Sequence, residues 1–303
     1  MGISAFRLSA TRIFPLRTDA TTPDELSHQL PRGLYTTFTT NHNGTRVLGL
    51  TKHLDRLFVP AQTEGIHPSA SRSELRQALS RLALDTAPGE ARFRILLSAS
   101  DGKLYIILQS FIPIPREIYE KGVKAITSDL FRHDPRRKDS SFIAASQAER
   151  LKVSGDVHEV LLTKDGRIYE GMTSNFYAVI YTAQRGWANE SDMVSEPLNN
   201  ELPGIESGAT LITARNGILL GVTRRAILHL ARGLGMSIKY RAPNLAESFS
   251  EAFITSSSRG VVPVVSIDNN RVGEGAVGAW TRNLIKAYGS YAEKKSELII
   301  LST

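Results

Sequence analysis

The chain has 303 residues, of which 41% are hydrophobic and 22% charged, with a net charge of +7 and no cysteine. That length calls for one large or two medium domains. The absence of cysteine excludes disulfides, thiol nucleophiles and cysteine-ligated zinc.

No apolar run approaches the roughly 20 residues that a membrane span needs. The opening MGISAFRLSATRIFPLR carries scattered arginine and no continuous apolar stretch, so it makes a poor leader and the expected location is cytoplasmic. The basic residues are scattered too. Their densest cluster is Arg132-His133-Asp134-Pro135-Arg136-Arg137-Lys138, and no nucleic-acid motif accompanies it. A solvated basic surface or an anionic small ligand explains the charge better than nucleic acid does.

In chain order, residues 1–30 hold one strand and a polar stretch. Tyr35 to Thr40 and Arg46 to Leu50 are β-prone around the turn Asn41-His42-Asn43-Gly44, which predicts a hairpin. Thr51 is placed to cap a helix that Pro60 interrupts or kinks. Apolar residues at 75, 79, 82 and 83 predict a helix over 73–84. Arg92 to Ser98 and Leu104 to Leu108 flank Asp101-Gly102 as a second hairpin. Phe111-Ile112-Pro113-Ile114-Pro115 is stiff, cannot continue a central strand, and reads as a linker. Beyond it come two β-runs over 158–180, a turn into a helix over 218–233, strands at 237–240, 252–255 and 261–267, and a last helix from about 277 to 294. Hairpins mixed with helices give an α+β or mixed α/β fold, in two domains over 1–115 and 116–303.

Several motifs can be weighed on their residues. Gly273-Glu274-Gly275-Ala276-Val277-Gly278 fits GxGxxG, but too little chain follows it for a dinucleotide fold, and a glycine-rich turn is expected instead. No HExxH and no close histidine pair supports a metal, and no GxSxG supports a hydrolase. Two segments suit an anion. Asn216 to Thr223 ends in the start of a helix, whose free N–H groups bind anions, though taken alone a plain Thr223 cap fits better. Thr255-Ser256-Ser257-Ser258-Arg259-Gly260 clusters hydroxyls at a strand end, where a polar loop is the alternative. In GRIYEGMTSNFYAV, residues 166–179, Glu170 ends a strand and small hydroxyl residues follow. That is either a solvated turn or the wall of a site.

Together these segments resemble the fold-type IV pyridoxal-phosphate enzymes: branched-chain aminotransferases, D-amino-acid aminotransferases and aminodeoxychorismate lyase. His53-Leu54-Asp55-Arg56-Leu57 resembles the family's H-L-x-R-L. Lys138-Asp139-Ser140 resembles the segment with the Schiff-base lysine. Glu159 to Leu162, Asp165-Gly166 and Glu170 to Tyr177 resemble E-x-L-L-x-x-x-G-x-x-x-E-G-x-x-S-N-x-F, with Tyr177 in the last place. Gly217 to Arg224 resembles G-I-L-x-G-I-T-R, and Phe253 to Ser258 with Pro263-Val264 resembles the second phosphate loop. The resemblance runs from about residue 33 to 290.

The resemblance implies a cofactor, pyridoxal 5'-phosphate, in the cleft between a small N-terminal and a larger C-terminal domain. Lys138 would carry it and move the Cα proton. Glu170 would face the pyridine nitrogen, and Thr173 and Ser174 would leave room for the ring. Arg56, Val222, Thr223, Ser256 and Ser257 would hold the phosphate. Arg136 and Arg137 would help to lower the lysine's proton affinity, or be surface residues. Arg94 would hold a substrate carboxylate, or be a surface residue; Tyr35 would line the substrate pocket, or be core. Two departures stand out. The polar residue that relatives carry four or five positions after the lysine is replaced here by Phe142 and Ile143, and Thr39 stands where branched-chain enzymes have arginine. The expected activity is transfer of an amino group from an amino acid to a 2-oxo acid by a homodimer, with neither nucleic acid nor membrane as partner. The alternatives are a lyase on the same site and a non-catalytic anion-binding relative.

Overall fold

The computed structural model describes residues 2–132, 134–182 and 208–301. The N-terminal part is built from β1 (Ile3–Ser9), β2 (Arg12–Leu16), α1 (Pro23–Gln29), β3 (Gly33–Thr39), β4 (Arg46–Leu48), α2 (Leu50–Thr63), α3 (Arg72–Leu84), β5 (Ala91–Ser98) and β6 (Leu104–Ser110). Its antiparallel sheet has the order β2-β1-β6-β5-β3.

Alternation along these strands sorts the side chains by face. Leu34, Phe38, Phe93, Ile95, Leu97 and Ile106 pack on Leu50, Leu54 and Leu57 of α2 and on Leu75, Leu79 and Leu82 of α3. The opposite face presents Tyr35, Thr37 and Thr39, paired in register with Leu96, Arg94 and Arg92. That second face looks into the site.

Three local expectations need correction. The first stretch holds two strands and a helix rather than one strand. The turn at 41–44 forms, with His42, Asn43 and Gly44 at positive φ, and Asn41 and Arg46 exchange backbone hydrogen bonds across it at 2.8 and 3.1 Å, but the pairing stops at that one bridge and does not run on between β3 and β4. β3 pairs with β5, and β4 pairs with the C-terminal strand β16 described below. Helix α2 starts two residues earlier than a Thr51 cap would set it. Gly49, in the left-handed region, is its N-cap, the Thr51 N–H donates to Glu297, and the helix runs through Pro60 to Thr63. The expected helix over 73–84 is α3, with a full capping box between Ser71 and Glu74.

After residues 111–115 come α4 (Arg116–Lys121), β7 (Val123–Ser128), α5 (Ser141–Ala145), α6 (Gln147–Arg150), β8 (Val157–Lys164), β9 (Arg167–Gly171), β10 (Asn175–Thr182), β11 (Gly208–Thr213), α7 (Val222–Gly233), β12 (Ser237–Tyr240), β13 (Glu251–Ser256), β14 (Gly260–Ile267), β15 (Asn270–Arg271), α8 (Ala279–Lys295) and β16 (Ser296–Leu298). The second sheet runs β12-β11-β10-β13-β14-β7-β8-β9, with β15 on β14. The Asn175–Glu170 contact joins β10 to β9 and closes six of these strands into a ring. Pairings β7–β8, β7–β14 and β11–β12 are parallel and the rest antiparallel, so the sheet is mixed.

Phe176 and Ala178 face one core with Ile254 and Val264, while Tyr177 and Val179 face another with Ile227 of α7 and Trp280 and Leu284 of α8. Burial on both faces explains why β10 reads as an unbroken apolar run. The tail returns to the N-terminal part: β16 pairs with β4 and Ile299 enters its core.

The glycine-rich turn at 273–278 precedes α8, and its anion seat is already taken by Glu251. That buried carboxylate accepts from the N–H groups of Trp280 and Thr281, at 3.0 and 2.7 Å. A Cβ on Gly278 would lie 1.9 Å from the Glu251 carboxyl carbon, so glycine is required there.

Candidate active site

A cavity of about 350 Å³ lies between the second face of the N-terminal sheet and the closed ring of strands. Tyr35, Arg56, Arg94, Lys138, Glu170, Thr173, Ser174, Val222, Thr223, Ser256 and Ser257 all line it. The chain brings them from seven separate stretches.

Lys138 reaches the cavity because its segment is pinned to the start of β3. Tyr35 N–H donates to the Lys138 carbonyl at 2.9 Å, Ser140 N–H to the Gly33 carbonyl at 2.9 Å, and Gly33 N–H to Ser140 Oγ at 3.0 Å. Gly33 itself lies tight against β5, where a Cβ would stand 1.9 Å from the Leu97 carbonyl oxygen. The Lys138 Nζ lies 4.7 Å from the centre of the buried Tyr35 ring. Burial, then the charges of Arg56, Arg132 and Arg94, hold the Lys138 amine well below the usual lysine range. The neighbours in sequence contribute differently: Arg136 donates to Asn216, and Arg137 pairs with Glu64 and Asp139.

Glu170 ends β9 with its carboxylate buried. Its Oε1 accepts from Arg132 Nε at 3.0 Å and its Oε2 from Leu219 N–H at 2.9 Å. Burial raises its proton affinity, and the Arg132 charge opposes the rise. Asn175, the first residue of β10, donates to the Leu219 carbonyl at 2.8 Å, so Leu219 is held through both backbone groups. This anchors the segment that leads into α7.

The turn between β9 and β10 is governed by Glu159 of β8. The Glu159 Oε2 accepts from Thr173 Oγ1 at 2.7 Å, Ser174 Oγ at 2.8 Å and Arg259 Nη2 at 2.7 Å. Arg259 also donates to Ser256 Oγ at 3.2 Å and thereby ties the turn to the hydroxyl loop.

At the other end of the cavity, α7 begins at Val222 after Gly221, and no side chain caps it. Its first N–H groups are left for a ligand. Thr223 stands inside the helix rather than at its cap. Arg56 reaches this end and donates to the Leu220 carbonyl at 2.5 Å. Burial lowers the Arg56 guanidinium to about 10, still cationic at neutral pH. His53, fully buried, joins Thr36 Oγ1 at 2.8 Å to Ser257 Oγ at 3.4 Å, and burial keeps its ring well below the usual histidine range, in the neutral form.

Arg94 is engaged inside the protein. Its Nη1 donates to Asp24 at 2.6 Å, to the Pro23 carbonyl at 2.9 Å and to Ser27 at 3.0 Å, and its Nε donates to Thr37 at 3.3 Å.

Sequence reasoning passed over Arg132. It took Arg132 for part of a basic surface cluster, in which His133 lies outside the described residues. Arg132 is buried, and its guanidinium lies 3.6 Å from the centre of the Phe142 ring. Its Nη1 has no hydrogen-bond partner among the described residues. The aromatic residue at 142 was the available signal, since a polar group missing there must come from elsewhere in the chain.

Residues 33–267 match the family model of class IV amino-transferases. The chain belongs to that family. It is 25% identical over 279 residues to a branched-chain-amino-acid aminotransferase of Pseudomonas aeruginosa, covering 84% of this chain and 81% of the relative. It is 27% identical over 251 residues to a D-alanine aminotransferase of Bacillus licheniformis, covering 78% and 79%. A putative branched-chain amino acid aminotransferase from Thermotoga maritima superposes with a TM-score of 0.70 at 24% identity, over 96% of both chains. A hypothetical aminotransferase from Mycobacterium tuberculosis, in its PLP-bound form, gives 0.65 at 18% identity, over 95% of this chain and 99% of that one. The fold is that of the fold-type IV aminotransferases. Among the described residues no helix is long and apolar enough to cross a membrane, and no cluster of metal-ligating side chains occurs.

Proposed function

We propose that this chain transfers an amino group from an amino acid to a 2-oxo acid, with Lys138 as the catalytic residue. The observation that carries the reading is the amine of Lys138, its proton affinity lowered by burial and by the charges of Arg56, Arg132 and Arg94, inside the same cavity as Glu170, Arg56 and the uncapped start of α7. A neutral amine can both add to a carbonyl and accept a proton.

The cofactor is pyridoxal 5'-phosphate, and the residues fit it. When bound, it supplies an electron sink for the electrons released as the substrate's Cα loses its proton. Arg56, the first N–H groups of α7 and the hydroxyls of Thr223, Ser256 and Ser257 form a cradle for its phosphate. The planar fork of arginine suits phosphate oxygens. Glu170 would meet the protonated ring nitrogen, and that positive charge offsets the cost of keeping a buried carboxylate ionised. The unpartnered Nη1 of Arg132 could offer the cofactor the donor that Phe142 and Ile143 lack. Thr173 and Ser174 turn their hydroxyls to Glu159 and keep the turn out of the ring's space. Lys138 would be the base that accepts the substrate's Cα proton. Tyr35 walls the substrate side. The reading includes the division at residues 115 and 116, a homodimer and a cytoplasmic location.

The test is a visible absorbance spectrum of the protein loaded with pyridoxal phosphate, repeated with panels of L- and D-amino acids. The expected result is a lysine-bound cofactor band that one class of donor removes with release of the 2-oxo acid. A band that persists while pyruvate accumulates would instead support the lyase. No band at all would overturn the reading.

A further inference from the structure

We propose that Arg92, rather than Arg94, is the guanidinium that receives the substrate's carboxylate and so makes the site prefer amino acids over simple amines. This rests on the aminotransferase reading and names the group that holds its substrate.

Six arginines line the cavity, and the argument is one of elimination. Arg56 stands at the phosphate end and bonds the Leu220 carbonyl. Arg132 is buried against Phe142 with its Nε on Glu170. Arg259 spends its three nitrogens on Glu159, Thr173, Ser256 and the His158 carbonyl. Arg94 and Arg150 share the carboxylate of Asp24, at 2.6 and 2.8 Å. A substrate carboxylate at Arg94 would first have to displace Asp24, a full charge in close contact that the Pro23 carbonyl and Ser27 reinforce.

Arg92 alone of the six makes no hydrogen bond and no ion pair among the described residues. Its guanidinium rests 5.0 Å from the centre of the Phe111 ring, which fixes its direction without consuming a donor. It sits on β5 opposite Thr39, whose hydroxyl donates to the Ser257 carbonyl at 3.4 Å, so it lies beside the hydroxyl loop. Burial, then the charges of Arg94 and Arg259, lower its proton affinity. The Asp24 charge acts on Arg92 more weakly than these, and a half-buried guanidinium with no ion-pair partner is stabilised by an incoming anion, whose carboxylate its fork matches.

The experiment titrates cofactor-loaded wild type, Arg92→Gln, Arg92→Lys and Arg94→Gln with butyrate, an unreactive carboxylate, by calorimetry. It then compares KM and kcat for an amino acid with the rate for the amine lacking its carboxylate. Formation of the cofactor's visible band shows that each variant is folded and loaded. Losing a charge-assisted contact is worth at least about 10-fold. Arg92→Gln is therefore expected to weaken butyrate and raise KM by at least that factor, to spare kcat, and to lower the preference for amino acid over amine equally. Arg92→Lys should recover part of the loss, and Arg94→Gln should keep butyrate binding. Wild-type butyrate affinity in Arg92→Gln, loss of binding in Arg94→Gln, or no binding by wild type would each overturn the assignment. Butyrate bound through Arg92 with no donor converted would leave the assignment standing and remove the aminotransferase reading. Donor conversion with KM unchanged in Arg92→Gln would do the reverse.

Discussion

Arg132 Nε donates to Glu170 Oε1 at 3.0 Å, and both side chains are buried. The pair joins the loop before Lys138 to the end of β9, across residues that sequence order alone would not bring together. Each group limits the other's desolvation cost, so removing either leaves a charge stranded. Arg132→Met should cost about 3–5 kcal/mol of stability, and the double variant with Glu170→Gln should regain part of it. Denaturant midpoints of the four proteins decide this; additive losses would mean the two groups act independently. Glu170→Gln alone keeps an acceptor for the Leu219 N–H. It should bind pyridoxal phosphate yet slow amino transfer on the order of 100-fold, as loss of a group matched to charge in the transition state does.

Lys138 gives a pH prediction with a definite sign. Its proton affinity is depressed in the folded protein from the ordinary 10.5. Between the depressed value and 10.5 the unfolded chain holds a proton that the folded chain lacks, so stability rises with pH there. Cofactor-free Lys138→Met should therefore be more stable than cofactor-free wild type at neutral pH. The margin should shrink as pH approaches 10.5, which chemical denaturation across about pH 6 to pH 10 measures. A margin independent of pH would show that the folded state keeps the amine charged. The same variant should form no lysine-bound cofactor band and give no turnover.

Glu159 holds Thr173, Ser174 and Arg259 on one oxygen, and Arg259 carries the hold on to Ser256. The side chain contacts both the ring-side turn and the hydroxyl loop while standing behind them. Glu159→Gln keeps the shape but loses the charge. The expected result is about 10- to 100-fold weaker cofactor binding, from a loss near the value of one charge-assisted hydrogen bond. Titration of pyridoxal phosphate by absorbance checks it, and unchanged affinity would mean that the two loops are positioned independently of Glu159.

The parts of the site legible in the sequence were those whose chemistry is local. Glu170 followed by small hydroxyl residues, the Thr255–Ser258 hydroxyls and the run into α7 announced themselves because a turn, a strand end and a helix start each need particular residues at short spacing. The helix periods and the β5–β6 hairpin were legible for the same reason. What escaped depends on contacts between distant stretches. Arg132 reads as surface until Phe142 and Glu170 are seen around it. Asp24, 70 residues from Arg94, gives no sequence signal that it would compensate that charge. β4 looks like the return strand of a hairpin because its true partner, β16, lies at the opposite end of the chain.

Glu251 shows how a motif can be present in sequence and already satisfied in the fold. The GxGxxG run ends at the start of α8, where a nucleotide phosphate would sit on free N–H groups. The Glu251 carboxylate occupies that position: it accepts from the N–H groups of Trp280 and Thr281 and from the Thr281 hydroxyl, and Tyr181 OH donates to it at 2.6 Å. Removing it would orphan two buried backbone donors and open the start of the helix. Glu251→Ala should therefore cost about 2–4 kcal/mol, the loss of a helix cap together with buried hydrogen bonds to a charged acceptor. The cofactor cradle lies at the start of α7, on another helix, so the affinity for pyridoxal phosphate should stay at the wild-type value. A thermal melt and a cofactor titration of the same preparation separate the two effects. A melt unchanged from wild type would show that α8 starts without this carboxylate, and a nucleotide that raised the variant's melting temperature would show that the glycine-rich turn retains an anion site once Glu251 is gone.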